Sequence, residues 1–488
     1  MIKATIVPVI ALFFVMLASC DLVPDFALKD TDDTDTSFDT LEEGYFYARY
    51  MTADFRNMPN YGFYKVKAEP LYEGEKCVIW AETGSGVTAA DAEKIAREYD
   101  NNIRQKIVDA FSRKDFAGSY EGEMYYFDDM LDYANWLAGR DDKKLTILLL
   151  DIQDDFNPQT NASYVAGYFY SGNFLPEGKF NNEIYSNGRD MIYVDTYPGR
   201  TEPTQVYATF AHELQHLINY YTCILLGKDL TNVWVNEGLS AYAEYLYLGR
   251  NPEDRCEWLS DSRNTVRTGN NFFVWGNHSD ELYAIQDDYA TVYLFFRWLY
   301  LQANTGLQPH IFRDITLSDY PDYRAVTSVA ARINPAWGNW ETLLGTWFAA
   351  NHEPANPVYG YKGDFYLQEG DGSDNPYYKG IRIHPVGGST VALYPGEGVY
   401  SIINGSYAAV NEGYIRYAEL AGNTRNVKML LTFNANTNNS AGRETGTLTG
   451  VSSSITVSRS AERTRPHVID ARDIWGRDQE RFKFRLPR

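Results

Sequence analysis

Residues 210–220 read FAHELQHLINY, and their reading decides how the rest of the chain is understood. The chain has only seven histidines in 488 residues, yet His212 and His216 stand four apart with Glu213 beside the first. On a helix, positions i and i+4 project from one face, so both imidazoles can reach one metal ion. Glu213 then lies beside that metal rather than on it. Phe210, Leu214, Leu217, Ile218 and Tyr221 recur at helical spacing, and Gly227 supplies a stop. Imidazole nitrogen with carboxylate oxygen suits zinc, which in catalytic sites takes three protein ligands and keeps a fourth position open.

The third ligand is sought downstream. A continuation as HExxHxxGxxH is excluded, because Asn219 and Thr222 occupy the glycine and last histidine positions. Residues 232–248, NVWVNEGLSAYAEYLYL, predict a second helix, with Asn232 as N-cap and Gly249 as stop. Glu237 follows His216 closely enough for a turn at Gly227-Lys228-Asp229 and one helical turn. A carboxylate in so apolar a helix is costly to bury without a cation. Glu244, two turns later on the same face, competes; Glu237 is preferred as ligand, and Glu244 is expected to accept a histidine N–H from behind.

These residues resemble a family. His212-Glu213-x-x-His216, followed by Trp234-Val235-Asn236-Glu237-Gly238-Leu239-Ser240, is similar to the gluzincin zinc metallopeptidases, most of all the hyicolysin-type family of secreted bacterial peptidases. EGEKCVIWAE, KLTILLLDI, VAGYFYSGNF, DMIYVDTYP and DDYATVYLFFRWLY carry the likeness across roughly residues 60–375. The resemblance implies an α+β fold with a thermolysin-like core: a twisted sheet lobe over the histidine helix, then a mainly helical lobe. It also implies an edge strand that holds an extended peptide, and Glu213 as general base. Related enzymes supply an oxyanion donor from a later helix. Tyr289 is the candidate, with Tyr283 and His278 behind it, in a chain of 39 tyrosines that makes any one choice weak.

Around this centre the sequence predicts a hairpin over 65–82, an amphipathic helix over 88–111 and a buried central strand over 144–152. Strands are also expected over 165–174 and 190–198, the last as a sheet edge beside the site. From about residue 380 short β segments separated by glycine, serine and asparagine predict a small all-β, sandwich-like C-terminal domain. The expected division is a signal peptide (1–20), an acidic tether (21–43), a metallopeptidase domain (44–378) and an accessory β domain (379–488).

The N-terminus sets the expected location. An apolar run from Ile6 to Leu17 follows Lys3 and is too short to span a bilayer. It ends in Leu17-Ala18-Ser19-Cys20, which resembles a bacterial lipobox and marks Cys20 for lipidation. The Asp- and Thr-rich stretch 21–40 cannot bury enough surface to fold. A lipid-anchored, extracytoplasmic protein of the bacterial envelope, periplasmic or at the cell surface, is expected, and a monomer. The net charge of −21 argues against nucleic acid as a partner. The remaining cysteines, Cys77, Cys223 and Cys256, form no disulfide framework. Calcium finds no support, since neither 30–35 nor EGDGSDNP (369–376) has the glycine and glutamate spacing of a calcium loop. His310, His352, His384 and His467 are isolated.

The expected activity is zinc-dependent endopeptidase action on protein or peptide. The alternatives are a non-catalytic surface lipoprotein (an adhesin, or a glycan- or peptide-binding protein) and an aminopeptidase. A decayed enzyme has no physical reason to keep Glu213. An aminopeptidase needs an acidic anchor upstream of the histidine helix, where Asp195 is the nearest acid and lacks the expected glycine-rich loop.

Overall fold

The computed structural model describes residues 41–51, 62–112, 144–154, 156–252 with short gaps, 269–270, 272–275, 284–364 save Glu353, and short strands between 390 and 485. Residues 1–40, with Cys20, lie outside the described residues, as do Cys256, His278, Tyr283, 369–376 and the expected boundary at 378/379.

The first half is built on a six-stranded sheet. Its strands are β1 (Tyr45–Arg49), β2 (Phe63–Glu73), β3 (Cys77–Glu82), β4 (Leu145–Leu150), β6 (Gly167–Phe169) and β9 (Met191–Asp195), in the order β1-β2-β3-β4-β9-β6. β4 runs parallel to β3 and β9, and all six of its residues are buried. A strand covered on both faces reads as a continuous apolar run, and LTILLL does. One face packs Ile79, Ile147, Leu149 and Val194 towards the helices. The other packs Leu148, Leu150, Met191 and Tyr193 against the aromatic side chains of β1 and the short strand β8 (Ile184–Ser186). β5 (Ser163–Val165) and the hairpin partner β7 (Gly178–Phe180) complete this half.

Two expectations are corrected here. β9 is not the edge of the sheet: β4 lies on one side of it and β6 on the other. β6 is the edge beside the site, antiparallel to β9 with Tyr168 opposite Tyr193. The helix expected over 88–111 is interrupted, running as α1 (Ala89–Glu98), a π turn (Tyr99–Ile103) and α2 (Arg104–Phe111). The π turn leaves Tyr99 and Ile103 buried and presents Asp100 to the β2–β3 turn, where its carboxylate accepts from the N–H groups of Glu75 and Lys76.

The helical part follows. α3 (Pro203–Leu226) is 24 residues long and begins on a proline, whose fixed φ suits a first helical position. α4 (Val233–Leu248) ends on Gly249 at φ +66°, the left-handed conformation that glycine adopts without strain. Asn232 precedes α4, but its side chain makes no cap hydrogen bond. α5 (Ala284–Gln302) and α8 (Trp340–His352) pack on α4 through an aromatic core of Trp234, Phe272, Phe295, Phe296, Trp340 and Trp347; α6 (Ile311–Thr316) adds Phe312 against Tyr242, and α7 (Tyr323–Ile333) adds Tyr323 against Trp340. Among the described residues no helix is long and apolar enough to cross a membrane.

Among the described residues the C-terminal strands enter two small sheets, and a last strand, β17 (Lys483–Arg485), pairs antiparallel with β5. One, β10-β12-β15-β14, joins β10 (Gly269–Asn270) to β12 (Gly398–Ile402), β15 (Val427–Thr432) and β14 (Ile415–Glu419). The other is β11-β16-β13, from Thr390–Leu393, Glu444–Thr449 and Ala408–Ala409. β10 belongs to the stretch preceding α5, so the later strands are hydrogen-bonded to the helical part.

Candidate metal centre

α3 and α4 pack side by side, and their facing sides bring together His212, His216 and Glu237, all fully buried. One ligand atom from each lies within 4.8 Å of the others. His212 Nε2 is 3.4 Å and His216 Nε2 3.6 Å from Glu237 Oε2. The two rings meet nearly edge to face, with centroids 4.6 Å apart.

The groups behind the imidazoles fix which nitrogen faces inward. Glu244 Oε1 stands 2.8 Å from His212 Nδ1, so Nδ1 carries the proton and donates it, and Nε2 faces Glu237. His216 Nδ1 is 2.9 Å from the hydroxyl of Ser240, and among the described residues its Nε2 has no hydrogen-bond partner. Burial pushes the pKa of His216 down to about 3, which keeps the imidazole neutral at ordinary pH.

This constellation suits a divalent cation. Two imidazole nitrogens and one carboxylate oxygen converge at 3.4 and 3.6 Å, an arrangement that positive charge between them would hold together. Ligand atoms about 2.1 Å from one ion in a tetrahedral arrangement stand about 3.4 Å apart, close to both observed separations. Glu213, Glu237 and Glu244 are three buried carboxyl groups, and a cation beside them would offset the cost of burying their ionised forms.

Glu213 is fully buried next to this group, held on α3 beneath the sheet edge. Burial pushes its carboxyl well above the usual carboxylate range, while the backbone N–H of Phe169 on β6 acts in the opposite direction. A neighbouring cation favours the ionised form. The strand crosses closely: a β-carbon on Gly167 would come within 2.7 Å of Thr209 and 3.8 Å of Glu213 Cγ.

Further buried polar residues surround the pair of helices. The hydroxyl of Thr231 donates to Asn219 Oδ1 at 3.0 Å, and Asn219 Nδ2 donates to Asn236 Oδ1 at 2.6 Å. Ser240 donates to Gln215 Oε1 in a short contact and lies 3.1 Å from the backbone oxygen of Asn236. Sequence reasoning did not assign Gln215, Ser240 or this asparagine pair to the centre. The available signal was the run of small and polar residues Asn236, Gly238 and Ser240 inside an apolar helix.

Tyr289 lies on α5, 4% exposed, with its ring edge-on to Trp275 at 5.2 Å. Asp195 is buried at the end of β9, and its Oδ1 accepts from the N–H of Ile152 at 3.1 Å, closing the end of the sheet. Cys77 and Cys223 are buried free thiols.

No family model matches the chain. The chain is similar to the neutral metalloprotease ShpI of Staphylococcus hyicus, with 26% identity over 308 residues, which are 61% of this chain and 62% of that protein. It thus spans less than two thirds of that relative's length.

Proposed function

We propose that the protein is a zinc endopeptidase of the gluzincin type, with zinc held by His212, His216 and Glu237. The observation that carries this reading is the convergence of the two histidine Nε2 atoms on one carboxylate oxygen, with Glu213 alongside. The likeness to a neutral metalloprotease supports the same reaction class. Bound at such a site, zinc lowers the pKa of a coordinated water to about 7 and polarises a carbonyl.

The chain's own residues do the remainder. Glu213 takes the proton of the attacking water and hands it to the leaving amine. β6 is the edge of the sheet, with no strand paired outside it among the described residues, and its backbone can align an extended peptide over Glu213. Tyr289 is assigned as the donor to the developing oxyanion. The engagement of Asp195 in closing the sheet favours internal cleavage over recognition of a free amine.

The reading includes export and a lipid anchor at Cys20, supported by the apolar run and the Leu-Ala-Ser-Cys sequence. It places a monomer at the cell envelope, acting on protein or peptide. The experiment is casein hydrolysis by the purified protein before and after 1,10-phenanthroline, followed by stoichiometric zinc. Loss on chelation and recovery with zinc supports the reading. Hydrolysis that survives full removal of the metal excludes it.

A further inference from the structure

The two histidines are held by unlike partners. Behind His212 stands a carboxylate, Glu244 Oε1, at 2.8 Å. An ionised carboxylate only accepts, so it leaves His212 Nδ1 one role, that of donor, with Nε2 facing inward. Behind His216 stands the Ser240 hydroxyl, 2.9 Å from Nδ1. A hydroxyl can donate or accept, so distance alone does not choose the tautomer of His216.

The neighbours of Ser240 make that choice. Its one proton faces two acceptors, Gln215 Oε1 in a short contact and the backbone oxygen of Asn236 at 3.1 Å. The backbone acceptor is fixed by α4 and stays available to the proton whichever way the Gln215 amide is turned. A hydroxyl that gives its proton to either of them can only accept from His216. Nδ1 then carries hydrogen, and Nε2 faces Glu237 Oε2 with a lone pair. With the opposite tautomer, Nε2–H could hold no metal. Ser240 and Gln215 are both fully buried, so water does not compete for these bonds.

We infer that Ser240 is a positioning residue that selects the metal-binding tautomer of His216, its own proton being directed away by Gln215 and the Asn236 carbonyl. The inference rests on the metal-centre reading above. Its rival is simpler: Ser240 is a helix serine bonded back to the carbonyl four residues earlier, chosen because it is small.

The test has two parts. Zinc affinity is measured by competition with a chromophoric chelator for wild type, Ser240→Ala and Ser240→Thr, with thermal midpoints of the metal-free proteins alongside. Loss of an outer hydrogen bond of this kind weakens metal binding about 10–100-fold. That loss is expected for the alanine variant with its metal-free midpoint little changed, and threonine, which keeps the hydroxyl, is expected to stay near wild type. Alanine binding as tightly as wild type, or threonine losing as much as alanine, overturns the inference. The second part is the ring nitrogen spectrum of metal-free wild type labelled with 15N-histidine, with His216 assigned by His216→Asn. An Nδ1–H tautomer supports the inference and an Nε2–H tautomer overturns it, even if the alanine variant does not fold. If wild type binds no zinc, the metal-centre reading fails by itself, and the spectrum still decides the tautomer.

Discussion

Gly167 on the sheet edge lies so close to α3 that a β-carbon there would stand 3.8 Å from Glu213 Cγ and 2.7 Å from Thr209 Cγ2. The backbone of Tyr193 closes the other side, at 2.8 Å from the same point. The edge strand and the proposed base are therefore in contact through a position only glycine fills. Gly167→Ala forces β6 away from the helix, a shift of the overpacking kind that costs about 1–3 kcal/mol. It should reduce casein hydrolysis more than it reduces zinc content, since the three proposed ligands lie on α3 and α4. Activity assays beside metal analysis check this.

A second close contact braces the third ligand. Gly238 follows Glu237, and a β-carbon on it would fall 2.4 Å from the ring of Phe296 on α5. Gly238→Ala should destabilise the fold by about 1–3 kcal/mol and weaken zinc binding, because α4 must move as a unit. In a Phe296→Leu background the same substitution should cost less, since the two sites share the space. Denaturant melts of the four proteins measure the coupling.

Glu244 holds His212 through its Nδ1–H at 2.8 Å. Glu244→Gln replaces a charged acceptor by a neutral amide and should lower zinc affinity about 10–100-fold. Excess zinc should restore much of the hydrolysis, because the base and the three ligands remain. Chelator competition followed by assay at rising zinc tests both halves.

Removal of the metal should soften the centre itself. Glu213, Glu237 and Glu244 are fully or almost fully buried, and the cation offsets their desolvation. Zinc at a hundred times its Kd adds about 2.7 kcal/mol to stability if the unfolded chain does not bind it. The thermal midpoint should therefore rise with zinc in wild type and stay unchanged in His212→Ala. Thermal scans at several zinc concentrations read this directly.

Tyr289 separates two roles that share one location. If its hydroxyl stabilises the oxyanion, Tyr289→Phe lowers kcat about 10²–10³-fold and leaves KM and zinc content unchanged. If the ring serves only to pack on Trp275, 5.2 Å away, phenylalanine retains activity. Steady-state kinetics on a fluorogenic peptide distinguish the two.

The centre was legible because its chemistry is local. Two histidines four apart need only a helix, and α3 supplies it. Glu237 was reachable because the next helix follows within a few residues and carries few acids. The sheet order was not legible: MIYVD reads equally well as an edge or an inner strand, and the pairing with both β4 and β6 is set by segments far apart in sequence. The true edge, Gly167–Phe169, is three residues inside a tyrosine-rich stretch, with no hydrophobic pattern of its own. Ser240 and Gln215 were missed for another reason. Serine and glutamine are ordinary on a helix, and only the packing of α3 on α4 brings Ser240 within reach of His216. The π turn at Tyr99–Ile103 was hidden too, because its buried residues keep a nearly helical spacing.

The most direct measurement is casein cleavage by wild type and Glu213→Gln, with bound zinc quantified in both. The account predicts one zinc per chain in each, hydrolysis by the wild type, and loss of turnover in the variant by several orders of magnitude. A variant that keeps its zinc and still cleaves at the wild-type rate would contradict it.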